Sequence, residues 1–381
     1  MLRLAALTAL GAPLLAQLAP MPPVSLAETP AMQAAASLAA STAASPNEWL
    51  TLAERSNWRE TGSFQETVDF HQRLARASRF ARLETIGTSS EGRPLHVLIA
   101  SKDRAFTPAA ARRTGKPVLL IQNAIHPGEN GGKDASMMLL RDLLVTRRLA
   151  PLLDHVIVLA LPVINPDGHE NISPFHRLHE QGPREMGFRA SALNLNLNRD
   201  YVKADAPEMR AFLRLFAAWS PDFFLDNHVT NGGDAEYDVT IATHTEQDID
   251  PEVGQWVNQH YLPAFFDKLA KLGHIAGWYG APNAMTAAPR FSTGYAAARN
   301  RAALLVETHS LKTFKTRAWS HYDIMHATLD LLAAHGRALA AAELAKHNTY
   351  IMLTNHSKDK TLPILKQIHT TGDKTKFLAL D

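Results

Sequence analysis

Residues 118–132 of this 381-residue chain have the sequence VLLIQNAIHPGENGG. The first eight are mostly apolar and have the length of a strand, and Pro127-Gly128 predicts a tight turn directly after them. From Lys133 to Thr146, apolar residues recur at three- and four-residue spacing, which predicts a helix. A strand, a turn and a helix in succession form the basic unit of an α/β domain.

Strand-length apolar runs and helical patterns also alternate in the rest of the chain, on both sides of this segment. Strands alternating with helices predict an α/β fold with a mixed, mostly parallel twisted sheet and helices on both faces. Further strand-length apolar runs are Leu95–Ala100, Val156–Leu161, Phe223–Leu225, Val239–Ala242 and Ala303–Val306. Further helical patterns are Pro207–Trp219, Trp256–Leu272 and Tyr322–Lys346.

The composition excludes several classes of protein. Apolar residues make up 46% of the chain, enough for a large core and against general disorder. Lys and Arg total 39 against 37 Asp and Glu, with no long block of one sign, so a nucleic-acid partner is not expected. The chain has no cysteine, so any metal must be held by His, Asp or Glu.

The composition also divides the chain into four segments. Residues 1–27 have a positive charge near their start, at Arg3, followed by an apolar run that leads to Ser25-Leu26-Ala27. This pattern is typical of a secretory signal peptide. A membrane anchor is the alternative, but the run is short and contains Pro13. We expect residues 28–47 to form an Ala-rich flexible lead-in, residues 48–347 to form the folded domain, and residues 348–381 to form a C-terminal appendage. We expect an exported protein, periplasmic or secreted, with no stable membrane insertion once the signal is removed.

Three residues are candidate metal ligands. His126 and Glu129 flank the Pro-Gly turn, which lets two ligands this close bind one cation. His228 comes shortly after Phe223-Phe224-Leu225, at the edge where open α/β sheets build their sites. Imidazole and carboxylate ligands suit zinc, although such sites accept other first-row ions. The alternative for the first pair is a loop whose His and Glu only cap the next helix.

Other polar residues follow predicted strands or turns. Glu307 ends the run Ala303–Val306, where it either faces solvent or serves as a general base. The Asn198-Arg199 pair offers a guanidinium fork and an amide that together could hold a carboxylate. The alternative for Arg199 is a surface ion pair with Asp200.

Taken in order along the chain, these motifs resemble the zinc metallocarboxypeptidase family of carboxypeptidases A, B and D. Each motif is weak alone, but their order and spacing together are specific. The motifs are TIGTSSEGRP at 85–94, HPGE at 126–129, NPDG at 165–168, NLNRDY at 196–201, His228 and Glu307.

The resemblance implies a role for each candidate. One zinc per chain would be bound by His126, Glu129 and His228. Glu307 would take a proton from the attacking water and deliver one to the leaving amine. Asn198 and Arg199 would hold the terminal carboxylate of a peptide substrate. Arg189, nine residues before Asn198, would polarise the scissile carbonyl, with Arg184 as the second candidate.

The chain also departs from the family pattern. Asn196 stands where many relatives have an Asp that orients a zinc-ligating histidine. Either Tyr279 or Tyr295 could be the tyrosine that closes the site. The pocket that selects the last residue should come from the segment between Arg290 and Arg301, and its preference stays open.

The function expected from the resemblance is hydrolysis of the C-terminal peptide bond of peptides that carry a free terminal carboxylate. A zinc-activated water would be the nucleophile and a Glu the general base. Two alternatives remain at this point. One is a zinc amidase or deacylase acting on cell-wall peptides or acylated amino acids, and the other is a zinc-dependent binding protein without catalysis.

Overall fold

The computed structural model describes residues 48–244, 248–280 and 288–356, with side chains up to residue 343. The predicted signal peptide and lead-in therefore lie outside the described residues, as does the end of the predicted appendage. Within the described part, none of the helices is both long enough and apolar enough to cross a bilayer.

Eight strands form one sheet. They are β1 (Ala81–Thr88), β2 (Pro94–Ala100), β3 (Val118–Gln122), β4 (Ile157–Leu161), β7 (Phe223–Val229), β8 (Val239–Ala242), β9 (Ala276–Trp278) and β10 (Ala302–Thr308). Their order is β1-β2-β4-β3-β7-β10-β8-β9. The four central strands, β4, β3, β7 and β10, are parallel to one another. On one side β2 is antiparallel to β4 and β1 to β2; on the other, β8 is antiparallel to β10, and β9 is parallel to β8. A separate two-stranded sheet pairs β5 (Ile172–Ser173) with β6 (Met186–Gly187).

Helices cover both faces of the large sheet. They are α1 (Leu52–Arg55), α2 (Phe64–Ala77), α3 (Pro108–Thr114), α4 (Gly131–Leu144), α5 (Pro166–Glu170), α6 (Pro207–Trp219), α7 (Pro251–Gln255), α8 (Leu262–Lys271), α9 (Ser292–Ala298) and α10 (Phe314–His356). A π-helical turn, Trp256–Tyr261, joins α7 to α8, and 3-10 turns span Ala150–Asp154 and Leu197–Arg199.

The two faces of the sheet have separate cores. Along β3, Leu119 and Ile121 belong to one apolar cluster, together with residues of α4, α8 and α10. Leu120, between them, belongs to the other cluster, with residues of α6 and α9. Successive side chains of a strand point to opposite faces, so a strand buried on both sides is apolar throughout. This confirms the predicted α/β class with helices on both faces.

Some element boundaries differ from the predictions. β3 stops at Gln122, whereas β7 and β10 continue to Val229 and Thr308, past the apolar runs Phe223–Leu225 and Ala303–Val306 from which we predicted them. The length of an apolar run is shorter than the strand itself when polar residues of the strand are also buried. All seven residues of β7 are buried. The last helix begins at Phe314 and continues past residue 347, where we placed the domain boundary.

Candidate metal and catalytic site

The three candidate ligands meet at the carboxyl ends of β3 and β7. The turn after β3 is closed by a hydrogen bond from the Glu129 amide to the His126 carbonyl, 2.9 Å long. His126 Nδ1 lies 3.1 Å from Glu129 Oε1, and His228 Nδ1 lies 2.9 Å from Glu129 Oε2. The two Nδ1 atoms are 3.2 Å apart, and all three side chains are buried. The ligand atoms therefore converge on a single point.

This arrangement fits zinc. Tetrahedral ligands bound at 2.0–2.1 Å stand roughly 3.3 Å from one another, close to the separations found here. Two imidazole Nδ1 atoms and a carboxylate that face each other need a cation or protons between them. Three protein ligands also match the catalytic type of zinc site, which keeps one position open.

The outer nitrogen of each histidine is held by an oxygen. His228 Nε2 donates to Asp226 Oδ2 at 2.9 Å, and His126 Nε2 donates to Asn196 Oδ1 at 3.0 Å. Such partners fix the tautomer that leaves Nδ1 free to bind a metal. Asn196 thus occupies the orienting position of the Asp found in many relatives, although it lacks the negative charge.

The environment of these ligands is negative enough to favour a cation. Burial opposes protonation of His228, but Asp226 and Glu129 outweigh it and raise its pKa well above the ordinary value. Asp226 is fully buried, and its Oδ1 accepts a 2.7 Å hydrogen bond from Gln122 Nε2. Because Asp226 and His228 are two residues apart on β7, their side chains lie on the same face of the sheet.

Glu307 lies beside the ligands. It is paired with His228 in the parallel register of β10 and β7, and its side chain is buried. Its Oε2 has no hydrogen-bond partner among the residues that the structure describes. Burial raises the pKa of Glu307 to about 8, and the negative charges of Glu129 and Asp226 add to this effect. A carboxyl with this pKa can gain and lose a proton near neutral pH.

Two arginines contact Glu129 Oε1 at 3.1 Å, but only one of them was a candidate. Arg189 reaches it from a half-buried position. Arg177, which the sequence analysis missed, is buried and also pairs with Glu180. No sequence signal distinguished it, because it lies in a loop region without a motif. Arg184 lies on the surface, with 67% of its side chain exposed.

The Asn198-Arg199 pair forms the 3-10 turn next to the ligands. Asn198 Nδ2 lies 3.4 Å from His228 Nε2, and Arg199 Nη1 donates to the Asn198 carbonyl at 2.6 Å. The surface ion pair with Asp200, considered as the alternative, does not form: that carboxylate accepts the backbone amides of residues 205 and 206 instead. Within the described ranges, Arg199 has no carboxylate partner.

Comparison with known proteins finds a family match over part of the chain. Residues 67–247, just under half of the chain, match the zinc carboxypeptidase family. Glu307 lies beyond the matched range, but the described fold continues through it without a break in the sheet.

Curated relatives are similar over part of the zinc carboxypeptidase domain. Carboxypeptidase 2 from Trichophyton rubrum is 30% identical over 175 residues, which cover 45% of this chain and 29% of the relative. Carboxypeptidase D from Mus musculus is 29% identical over 157 residues, which cover 35% of this chain and 11% of the relative. The chain therefore spans less than a third of the length of these relatives.

Solved structures show the same fold. Carboxypeptidase A from Helicoverpa armigera superposes with a TM-score of 0.55 at 18% identity, covering 82% of this chain and 81% of the other. A metallo-carboxypeptidase from Burkholderia cenocepacia gives 0.54 at 18% identity, with 72% and 70% covered. The α/β architecture predicted from the sequence is thus the architecture of zinc carboxypeptidases.

The structure also separates the two tyrosines considered for this zinc carboxypeptidase domain. Burial raises the pKa of Tyr279, and the negative charges of Glu307 and Glu129 raise it further. This tyrosine is therefore close enough to the candidate site to interact electrostatically with its carboxylates. Tyr295 instead packs against Tyr201 and Phe216, with ring centroids 5.7 and 5.3 Å apart. Tyr279 is therefore the better candidate for a substrate contact.

Proposed function

We propose that this protein is a zinc-dependent carboxypeptidase that releases the last residue of peptides carrying a free terminal carboxylate. The observation that carries the proposal is the pairing of Glu307 with His228 across β10 and β7. It sets a carboxyl with a pKa of about 8 beside three converging metal ligands. A ligand cluster with a purely structural role would not need such a neighbour.

His126, Glu129 and His228 would hold one zinc ion per chain. When bound, zinc supplies a Lewis acid that polarises a carbonyl and lowers the pKa of water to about 7. Asp226 and Asn196 keep the two imidazoles oriented with Nδ1 toward that position.

Glu307 carries the proton through the reaction. Its carboxylate takes a proton from the attacking water as the water oxygen forms a bond to the peptide carbonyl carbon. As the carbon–nitrogen bond breaks, the same carboxyl delivers a proton to the leaving amine. Burial raises the pKa of Glu307 in the metal-free site, and a cation held by the neighbouring ligands would lower it again toward the carboxylate form that accepts the proton.

The arginines bind and orient the substrate. Arg199, with the Asn198 amide beside it, holds the terminal carboxylate through charge-assisted hydrogen bonds. This restricts cleavage to the last peptide bond. Arg189 stabilises the oxyanion that develops on the scissile carbonyl. Tyr279 lies within reach of the same charges and serves as an additional substrate contact.

The substrate would be encountered outside the cytoplasm if the secretory signal predicted at residues 1–27 is functional. Neither a nucleic acid nor a stable membrane contact is part of the proposal. The peptide itself is the expected partner.

The test combines metal content with cleavage of blocked peptides. The parent and Glu307→Gln should each bind about one zinc, whereas only the parent should release a C-terminal residue. We expect the variant to lose activity by a factor of about 100 to 10,000, the usual contribution of a general base. Amidation of the peptide terminus should stop cleavage by the parent.

Two controls make the result decisive. Arg199→Gln should raise KM more than it lowers kcat, because its contact with the terminal carboxylate is made in both ground and transition states. If amidated or acylated substrates are cut as fast as free peptides, an amidase or deacylase replaces the carboxypeptidase. If zinc binds but no substrate is cut, the protein is a zinc-dependent binding protein.

A further inference from the structure

The substrate end of the site carries more positive charge than one carboxylate requires. Arg199 and Arg290 both lie against the ring of Phe291, with their guanidinium carbons 4.5 and 4.8 Å from its centroid. Partial burial lowers the pKa of Arg199, and the charges of Arg189 and Arg290 lower it further. Three guanidinium groups therefore act on one region.

Little negative charge lies near Arg199 and Arg290 to balance their charges. Among residues 48–244, 248–280 and 288–343, neither Arg199 nor Arg290 forms an ion pair with a carboxylate. Glu129 is already engaged by Arg177, by Arg189 and by the two candidate histidine ligands. Like charges around one ring repel one another, and an anion bound beside both of them would offset this repulsion.

From this charge distribution we infer that the preferred substrate ends in a residue with a second carboxylate, an aspartate or a glutamate. The inference rests on the proposed carboxypeptidase function and names its substrate class. Arg199 takes the terminal carboxylate, and Arg290 takes the side-chain carboxylate. Because the two guanidinium carbons lie 4.5 and 4.8 Å from the same centroid, they are at most about 9.3 Å apart. The two carboxylate carbons of an extended glutamate are about 5 Å apart, so one glutamate with a hydrogen bond at each end can span that distance.

Phe291 makes this arrangement more selective. A guanidinium against an aromatic ring is held by cation–π attraction, so its fork is partly oriented before the substrate arrives. Less side-chain entropy is then lost on binding. The competing interpretation is that Phe291 forms an apolar surface for an aliphatic or aromatic last residue, with Arg290 only a solvated side chain. That interpretation predicts a different substrate ranking.

The test uses blocked peptides that differ only in the last residue: Glu, Gln, Leu or Lys. Glutamine has the shape of glutamate without its charge, so the Glu/Gln ratio of kcat/KM isolates the second carboxylate. A charge-assisted contact predicts a ratio of about 10 to 100. Arg290→Gln should reduce this ratio to about one, mainly through KM. Arg290→Glu should shift the preference toward Lys.

A matched control comes from the other end of α9. Arg299 is also an exposed arginine, and Arg299→Gln removes the same charge. It should leave the Glu/Gln ratio unchanged. A ratio near one in the parent, a preference for Leu, or an unchanged ratio in Arg290→Gln would each overturn the inference while leaving the carboxypeptidase function standing.

A binding measurement keeps the inference testable if no peptide is cleaved. Titration calorimetry with N-acetylglutamate and N-acetylglutamine compares the same pair of ligands without any reaction. Tighter binding of N-acetylglutamate, lost in Arg290→Gln and kept in Arg299→Gln, supports the two-carboxylate site even if catalysis fails. Equal binding of the two ligands overturns it.

Discussion

Asp226→Asn tests how the second histidine ligand is held. Asp226 Oδ2 accepts from His228 Nε2 at 2.9 Å, and Oδ1 accepts from Gln122 Nε2 at 2.7 Å. An asparagine keeps the shape but has only one acceptor oxygen, so its NH2 group must face one of these two donors. Gln122 contacts the Tyr201 hydroxyl through both Nε2 and Oε1, at 2.9 and 3.2 Å, so it can turn over to meet that NH2 group and leave the asparagine oxygen for His228.

The size of the effect follows from the lost negative charge. A hydrogen bond to a charged group is worth about 1.5–3 kcal/mol and one between neutral groups about 0.5–1.5 kcal/mol, so the exchange costs about 1–1.5 kcal/mol. Loss of a partner that orients a metal-ligating histidine typically weakens metal binding about 10- to 100-fold, which corresponds to about 1.4–2.8 kcal/mol. Because the imidazole keeps a neutral acceptor, we expect Asp226→Asn to weaken zinc binding about tenfold.

The assay is competition for zinc with a fluorescent chelator at pH 7.5. Asp222→Asn serves as the control, because Asp222 precedes the opposite end of β7 and accepts from the backbone of Val118. It should leave zinc affinity unchanged. Parent-like zinc affinity in Asp226→Asn, with an unaltered circular dichroism spectrum, would show that the Asp226 carboxylate does not support the histidine.

Three further predictions concern single substitutions. Asn196→Asp should tighten zinc binding about threefold to tenfold in the same assay, because a carboxylate accepts more strongly from His126 than an amide does; unchanged affinity would contradict this. In the metal-free protein, the folded state keeps a proton on Glu307 that the unfolded chain has lost, so stability should fall as pH rises from about 5 to 8, by roughly 1 kcal/mol per pH unit. Glu307→Gln should flatten that slope in urea unfolding, and an equal slope in both proteins would exclude the raised pKa. Gly132→Ala should cost about 1–3 kcal/mol in thermal unfolding, since the added carbon would lie 2.6 Å from a β7 side chain, whereas Gly233→Ala meets nothing within 4 Å and should be neutral.

The local sequence was enough to predict the elements around the metal site. The apolar run from Val118 and the Pro-Gly turn after it predicted the strand and the sharp bend between the first two ligands. The apolar segments also predicted the α/β class, because a strand buried on both faces has no polar alternation. The ends of β7 and β10 could not be predicted in this way, because both strands contain polar residues near their carboxyl ends. These residues are buried by neighbouring strands that are distant in the sequence.

Local sequence was also enough to name the candidate site residues: a ligand pair three residues apart, a third histidine, a carboxylate on an apolar strand and an Asn-Arg pair. Which of them lie together depends on the packing of the chain. The fold brings His228 to Glu129 across 99 residues of chain, adds Arg177 and Asp226, leaves Arg184 on the surface, and sets Arg199 against Phe291. Converging ligands, ion pairs and pKa shifts depend on distances in space, and strand order and register fix those distances between residues far apart in sequence.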